Sequence, residues 1–366
     1  MGKVDLKVAA PADGRVLTKE KFYGTAGRWR RFAEPVPAGR SSKTDGTPDY
    51  GLFGPGSVAW EILLHPATIV LEGIGQSMLQ LTYRPIVAGI RDHDPLSKKA
   101  LAGTLTYFDG FERFQRNSGM HAPMWLGDTA TAERMAEHLH RVHKRVASDI
   151  IDVGEPEIGG YAASEPREAM WAAITEMHSM LRMYEAYAFR GGWLPRKLSR
   201  KQRDQYFAES AAYLRLVGAK EEEIPKSAAE LSRLYDKYEC LFGQGKRMHD
   251  IPATGQDSNK LAHDTMKKNF HISHLRVLIP MTIQFSLMKL PVLGALPAKT
   301  RRNAGLGPVR RALAVAARYA FLPLIWLLQQ GPFERSVMRL MWGPDAINLI
   351  ENARQLHRAA LAAKKA

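Results

Sequence analysis

From Gly54 onward, the apolar residues of this chain recur at spacings of three and four, and no segment alternates strictly between apolar and polar. That pattern restricts the fold to helices packed on helices. The punctuation agrees. Gly54-Pro55-Gly56-Ser57 ends in a serine that caps a helix over 58–64. His65-Pro66 breaks it, because a residue before proline avoids the α region. An apolar helix is predicted over 68–82, where Gly73 and Gly75 leave room for another backbone or a flat ligand. Asp94-Pro95 starts a helix to about Ser118, where Gly119 stops it, and Asp128 or Thr129 caps one to about Ile150. Further helices are predicted over 166–189, 200–217, 228–242, 259–290 and 344–363. No strand and no internal repeat is predicted. The expected fold is all-α, a globin-like or orthogonal multi-helix bundle.

Residues 1–50 are rich in Gly, Pro, Arg and Lys and weakly periodic. They read as an extended arm, with 40–46 a mobile loop. Residues 51–260 read as the helical core, and 261–366 as C-terminal helices packed on it. With 52 Lys and Arg against 37 Asp and Glu, the chain carries a net charge of +15. That excess favours acidic partners. There is no helix-turn-helix, zinc-finger or RNP-type signature, so nucleic acid is not expected.

Cys240 is the only cysteine, which excludes an intramolecular disulfide and a thiolate metal cluster and favours a reducing compartment. The Met1–Leu6 segment has neither a secretory apolar run nor a myristoylation pattern. A cytoplasmic location is expected, with peripheral membrane attachment as its variant. Two apolar runs, 277–298 and 312–328, flank a basic stretch containing Lys299, Arg301, Arg302, Arg310 and Arg311. A clean span needs ~20 uninterrupted apolar residues. Gln284, Lys289, Arg318 and Pro323 interrupt these two. They are expected either as buried core helices or as interfacial segments seated on anionic lipid.

Within 129–150, Met135, Leu139, Val142, Val146 and Ile150 form one stripe that includes His143. A histidine on such a face is either a core residue bonded to a carbonyl or a metal ligand. His178 sits comparably, beside Ile174, Met177 and Leu181, and periodicity alone does not choose between the two. His271 and His274 have clamp spacing but no nearby carboxylate. Glu137-x-x-His140 is the single Glu-x-x-His pair, whereas a di-iron bundle needs two. Zincin, Walker A, nucleophile-elbow and dinucleotide-binding motifs are absent from the sequence. Arg113, Arg116 and Asn117 share one helix side among Phe108, Phe111 and Phe114. They read either as arginines snorkelling over an apolar face or as donors at the edge of an apolar pocket.

Four ordered segments resemble the superfamily of MpaB-type oxygenases and latex-clearing rubber oxygenases. The first is Gly-Pro-Gly-Ser-Val-Ala-Trp at 54–60, and the second is Gln80-Leu-Thr-Tyr-Arg-Pro-Ile-Val-Ala-Gly-Ile90, followed by His93. The third is Val142-His143-Lys144-Arg145-Val146, and the fourth is Leu181-Arg182-Met183-Tyr184-Glu185. The resemblance covers 54–245 well and the remainder in outline. It implies an all-α fold with an internal pocket for non-covalent heme b. His143 would be the axial iron ligand, with His178 as fallback, and Gly73 and Arg113 would contact the cofactor. Arg113-x-x-Arg116-Asn117 stands where the family carries Arg-x-x-Lys-Thr, so these three would stabilise dioxygen, but a capping lysine is absent. The implied chemistry is dioxygen-dependent oxidation of an alkene in a hydrophobic, isoprenoid or lipid-like substrate. The rival expectations are a heme protein of peroxidase, sensor or carrier type, and a heme-free helical scaffold at a membrane surface.

Overall fold

In the computed structural model, residues 33–364 and 366 are described. Residues 1–32 of the expected arm lie outside them. Residues 33–50 form no helix; they bridge Pro37 to Gly127 and fold back between Ser42 and Pro48, with turns at 38–39 and 44–45. The 40–46 segment is held by hydrogen bonds. Lys43 N donates to Thr47 O at 2.8 Å, and Ser41 Oγ donates to Asp128 Oδ2 at 2.7 Å.

The centre is a pair of helices, α2 (Pro66–Gln80) and α8 (Pro166–Tyr187), preceded by the short α1 (Val58–Leu63). Both central helices are buried nearly all round, α2 through its apolar sequence and α8 although it carries the buried Glu168, Glu176 and Glu185. They cross closely because Gly75 has no side chain: a Cβ there would lie 3.0 Å from Met183 Cγ. Around the pair lie α3 (Arg84–His93), α4 (Pro95–Leu101), α5 (Tyr107–Ser118), α6 (His121–Leu126) and α7 (Thr129–His143). Then come α9 (Arg200–Leu216), α10 (Ala228–Lys237) and α11 (Ser258–Lys268).

Several predicted helices are shorter than expected or divided: the one over 228–242 ends at Lys237, and the one over 259–290 breaks after Lys268 and resumes at Ile272. The 95–118 segment divides at Gly103, whose φ of +70° ends α4, and a Thr106/Asp109 capping box starts α5. The helix expected to reach Ile150 stops at His143. Val146 and Ile150 continue the periodicity, but Ala147–Ser148 pairs antiparallel with Tyr161–Ala162 (β1 and β2), an unpredicted two-residue ladder. The connecting loop is fixed by the buried Arg91 of α3, which donates to the carbonyls of Ile150, Ile151 and Met248, each at 3.0 Å.

The C-terminal region comprises α12 (Leu275–Met281), α13 (Lys289–Ala295), α14 (Ala298–Asn303), α15 (Pro308–Ala320), α16 (Leu322–Leu328), α17 (Gly331–Trp342) and α18 (Pro344–Ala363). Residues 272–295 form one continuous helical run, with a π-helical turn over Thr282–Leu287. Pro280 lacks an N–H and crowds the turn that precedes it. Tyr187 donates to Pro291 O at 2.6 Å and Arg182 to Ala295 O at 2.9 Å, docking α13 on the end of α8. Arg354 of α18 pairs with Glu334 of α17 and donates to Leu64 O at 2.8 Å.

The helix α13 crosses α15 at Gly294, where a Cβ would lie 1.9 Å from the backbone oxygen of Ala314. Gly294→Ala is predicted to destabilise the fold by about 1–3 kcal/mol or more through overpacking. Gly331→Ala is the control, since nothing lies within 4 Å of a Cβ there. It should be neutral or slightly stabilising. Thermal midpoints of the two variants check both expectations.

Candidate functional site

A cavity of about 500 Å³ opens among α2, α3, α5, α7 and α8. Small residues create it: Gly89 on α3, Gly110 on α5, and Ala169, Ala172 and Ala173 on α8 leave its wall without side-chain bulk. Phe114, Met124, Leu139 and Val142 supply its apolar lining.

Three histidines line this cavity, and their ring nitrogens differ in commitment. His93 Nε2 bonds to Ala147 O at 2.8 Å. His121 is fully engaged, with Nδ1 at 2.6 Å from Glu72 Oε1 and Nε2 at 3.6 Å from Glu176 Oε1. His143, the last residue of α7, makes no side-chain hydrogen bond to any described residue. Burial, with His140 and Arg113 nearby, holds its pKa below the ordinary value, against the opposing field of Glu176. It is therefore a neutral imidazole with an available lone pair.

His178 does not reach this cavity. It borders a second one of about 250 Å³, where Nδ1 lies 3.1 Å from the Tyr235 hydroxyl and burial pushes its pKa down to about 3. On α5, Arg113 and Asn117 line the main cavity, and Arg113 Nε is anchored on Asp94 Oδ2 at 2.7 Å. Arg116 does not line it. The cavity arc of α5 runs through 110, 113, 114 and 117, and at 100° per residue position 116 falls outside that arc. Its side chain is 46% exposed, 3.7 Å from Glu112. Gly73 does not line the cavity either: a Cβ there would meet Met341 at 3.0 Å and Phe114 at 3.3 Å, so its bareness serves helix packing. Of the residues singled out from the sequence, the cavity thus brings together His143, Arg113 and Asn117.

The charge cluster at the inner end was not anticipated. Gln76 donates to Glu176 Oε1 at 2.9 Å, Tyr213 donates to Glu176 Oε2 at 2.5 Å, and His121 stacks on Trp125 with ring centroids 4.7 Å apart. Burial opposes charge on His121, but Glu72 and Glu176 outweigh it and push its pKa up to about 10. Glu72, alone in the apolar stretch Thr68–Gly75, was the available signal, since a carboxylate on a buried helix demands a partner. Among the described residues, no three His, Cys, Asp or Glu side chains form a site for a bare metal ion.

The raised His121 pKa carries a stability consequence with a definite sign. Its folded value, about 10, lies above the unfolded value near 6.5. The stabilisation is complete below pH 6.5 and is lost as pH rises through 10, with a slope of at most about 1.4 kcal/mol per pH unit. His121→Gln should lower stability at pH 6 and flatten that slope, as read from urea midpoints between pH 6 and 10.

Residues 60–324 match the family described as "ER-bound oxygenase mpaB/B'/Rubber oxygenase, catalytic domain". No curated protein and no solved structure matches the chain. The match spans well over half of the 366 residues and includes the whole cavity wall; it begins at the last residue of the first resemblance segment and runs C-terminally past the fourth. On that coverage, the chain belongs to the mpaB/rubber-oxygenase family of catalytic domains.

Proposed function

We propose that this oxygenase-family chain binds heme b in the main cavity through His143 and uses dioxygen to oxidise an alkene in a hydrophobic substrate. The observation that carries the reading is the state of His143: a neutral imidazole facing the cavity with neither ring nitrogen committed to a described residue. Its two neighbours do not offer that. His121 is protonated between carboxylates, and His93 is bonded to a carbonyl.

The donor set fits a heme. A porphyrin supplies four nitrogens of its own, so that one imidazole from the protein, that of His143, would hold it. The cavity falls within the roughly 300–1,000 Å³ of ordinary small-molecule sites. Arg113 provides a guanidinium suited to a propionate or to polarised dioxygen. When bound, the heme would supply the redox chemistry with dioxygen. The chain's own part is narrower. His143 ligates, Asp94 orients Arg113, Asn117 adds a polar edge, and Phe114, Met124, Leu139 and Val142 keep water from an apolar substrate.

His143→Ala is predicted to lose heme binding while remaining helical, and His178→Ala to keep it. Heme titration followed at the Soret band, with far-ultraviolet circular dichroism as control, decides this; full binding by both variants would remove the assignment. Arg113→Ala should retain heme and lower dioxygen uptake with an isoprenoid alkene about a hundredfold, the scale of removing one aimed donor.

A further inference from the structure

The run 272–295 carries an apolar face that the protein does not cover. Ile272, Leu275, Ile279, Ile283, Leu287 and Leu290 recur at three and four residues and are all exposed, Ile279 at 57%. The opposite side of the same run is buried: Val277 packs with Phe108 and Phe111, and Pro291–Ala295 lie in the core. Val309, Leu313 and Tyr319 of α15, the helix that packs on α13, and Trp326 of α16 are exposed as well. Isolated exposed apolar residues are ordinary, but a contiguous patch marks an interaction surface.

Charge identifies the occupant. Residues 271–343 contain ten Lys and Arg and a single acid, Glu334, which is buried and paired with Arg354. Arg276, Lys289, Arg302, Arg310, Arg335 and Arg339 are exposed with no acidic partner among the described residues. Between α14 and α15 runs an open groove lined by Arg301, Arg302 and Arg311 with small apolar residues beside them. Burial and the neighbouring Arg318, Arg311 and Arg302 hold the Arg301 pKa below its ordinary value, as expected where cations face one another without an anion. An apolar face fringed by uncompensated cations is complementary to an anionic bilayer: the aliphatic side chains enter the acyl boundary and the arginines meet the phosphates.

The 272–295 run is long and apolar enough to cross a membrane, and α15 with α16 would pass as a second span bent by 54°. One or two such helices are weak grounds for a span, which agrees with the sequence expectation that neither segment is a strong candidate. A lone spanning helix, moreover, is wrapped by lipid on all sides, whereas this one has a buried face against α5 and α15. We infer that residues 272–333 form a monotopic seat on an anionic bilayer, with the Arg301/Arg302/Arg311 groove receiving lipid phosphates. Phe285 of this run packs edge-on at 5.6 Å against Phe114, which lines the main cavity. The seat therefore adjoins the cavity wall, the position from which an apolar substrate could leave the bilayer.

The test uses the full chain with vesicles of phosphatidylcholine alone and with about a third phosphatidylglycerol, the latter chosen to attract cations. Co-sedimentation should favour the anionic vesicles and weaken in high salt, and lipids brominated near the glycerol should quench tryptophan fluorescence. Arg302→Glu/Arg310→Glu should weaken anionic binding about tenfold or more, since each basic residue near the surface is worth about fivefold. Arg301 is spared because it bonds the Gly294 carbonyl. Ile279→Glu/Ile283→Glu should abolish the quenching and leave helicity unchanged, because both positions are exposed. The inference is overturned if the full chain ignores anionic vesicles or if both double variants bind as the parent does. It is also overturned if the chain is a dimer that Ile279→Glu/Ile283→Glu dissolves with no parental vesicle binding, since a second copy would then cover the face.

Discussion

Two carboxylates, Glu72 and Glu176, are buried where α2 packs on α8, and one cation stands within reach of both. His121 supplies it from α6, stacked on Trp125, while Gln76 and Tyr213 satisfy Glu176. Removing one partner of such a buried set leaves an uncompensated charge and costs about 3–5 kcal/mol. The cluster therefore fixes how α2, α6, α8 and α9 meet, and so the inner end of the cavity. The bare Gly75 against Met183 sets the crossing distance of the same helix pair.

The chemistry of the cavity rests on a separation of roles. One histidine is held charged by carboxylates, and burial, with Arg113 nearby, favours the neutral form of another. Pushing apart the states of like residues in one cavity is a common way of giving them different tasks. The segment after His143 holds it in place: the α7 terminus is locked by the β1–β2 ladder, by His93 on Ala147 O and by Arg91 on the carbonyls beyond. Arg113 is positioned by Asp94, which also caps α4 by accepting from Leu96 N.

The sequence made the helical class and the stripe containing His143 legible, because both rest on periodicity within one element. It placed Arg113 and Asn117 on one side of α5 for the same reason, but overextended that side to Arg116, since i+3 and i+4 fall on opposite edges of any helix face. Periodicity also carried α7 past its end, because Val146 and Ile150 stay in phase while tertiary pairing takes the chain elsewhere. The His121 cluster was illegible as a cluster: its members stand 49 and 100 residues apart across the His121–Glu72 and Gln76–Glu176 contacts, and no local spacing links them. Glu72 alone was a visible anomaly. Gly73 illustrates the reverse error, since a bare helix surface is equally useful to a flat ligand and to Met341, and only the packed structure separates the two.

The central claim is that an oxygenase-family cavity with a single uncommitted imidazole takes up a heme. Titrating heme into the purified full chain and recording its absorption before and after dithionite, then with carbon monoxide, tests it most directly. Saturation at one heme per chain, with a Soret band that shifts on reduction and again with carbon monoxide, is the predicted result. A visible spectrum that stays that of free heme at every ratio would contradict it and leave a heme-free helical scaffold in its place.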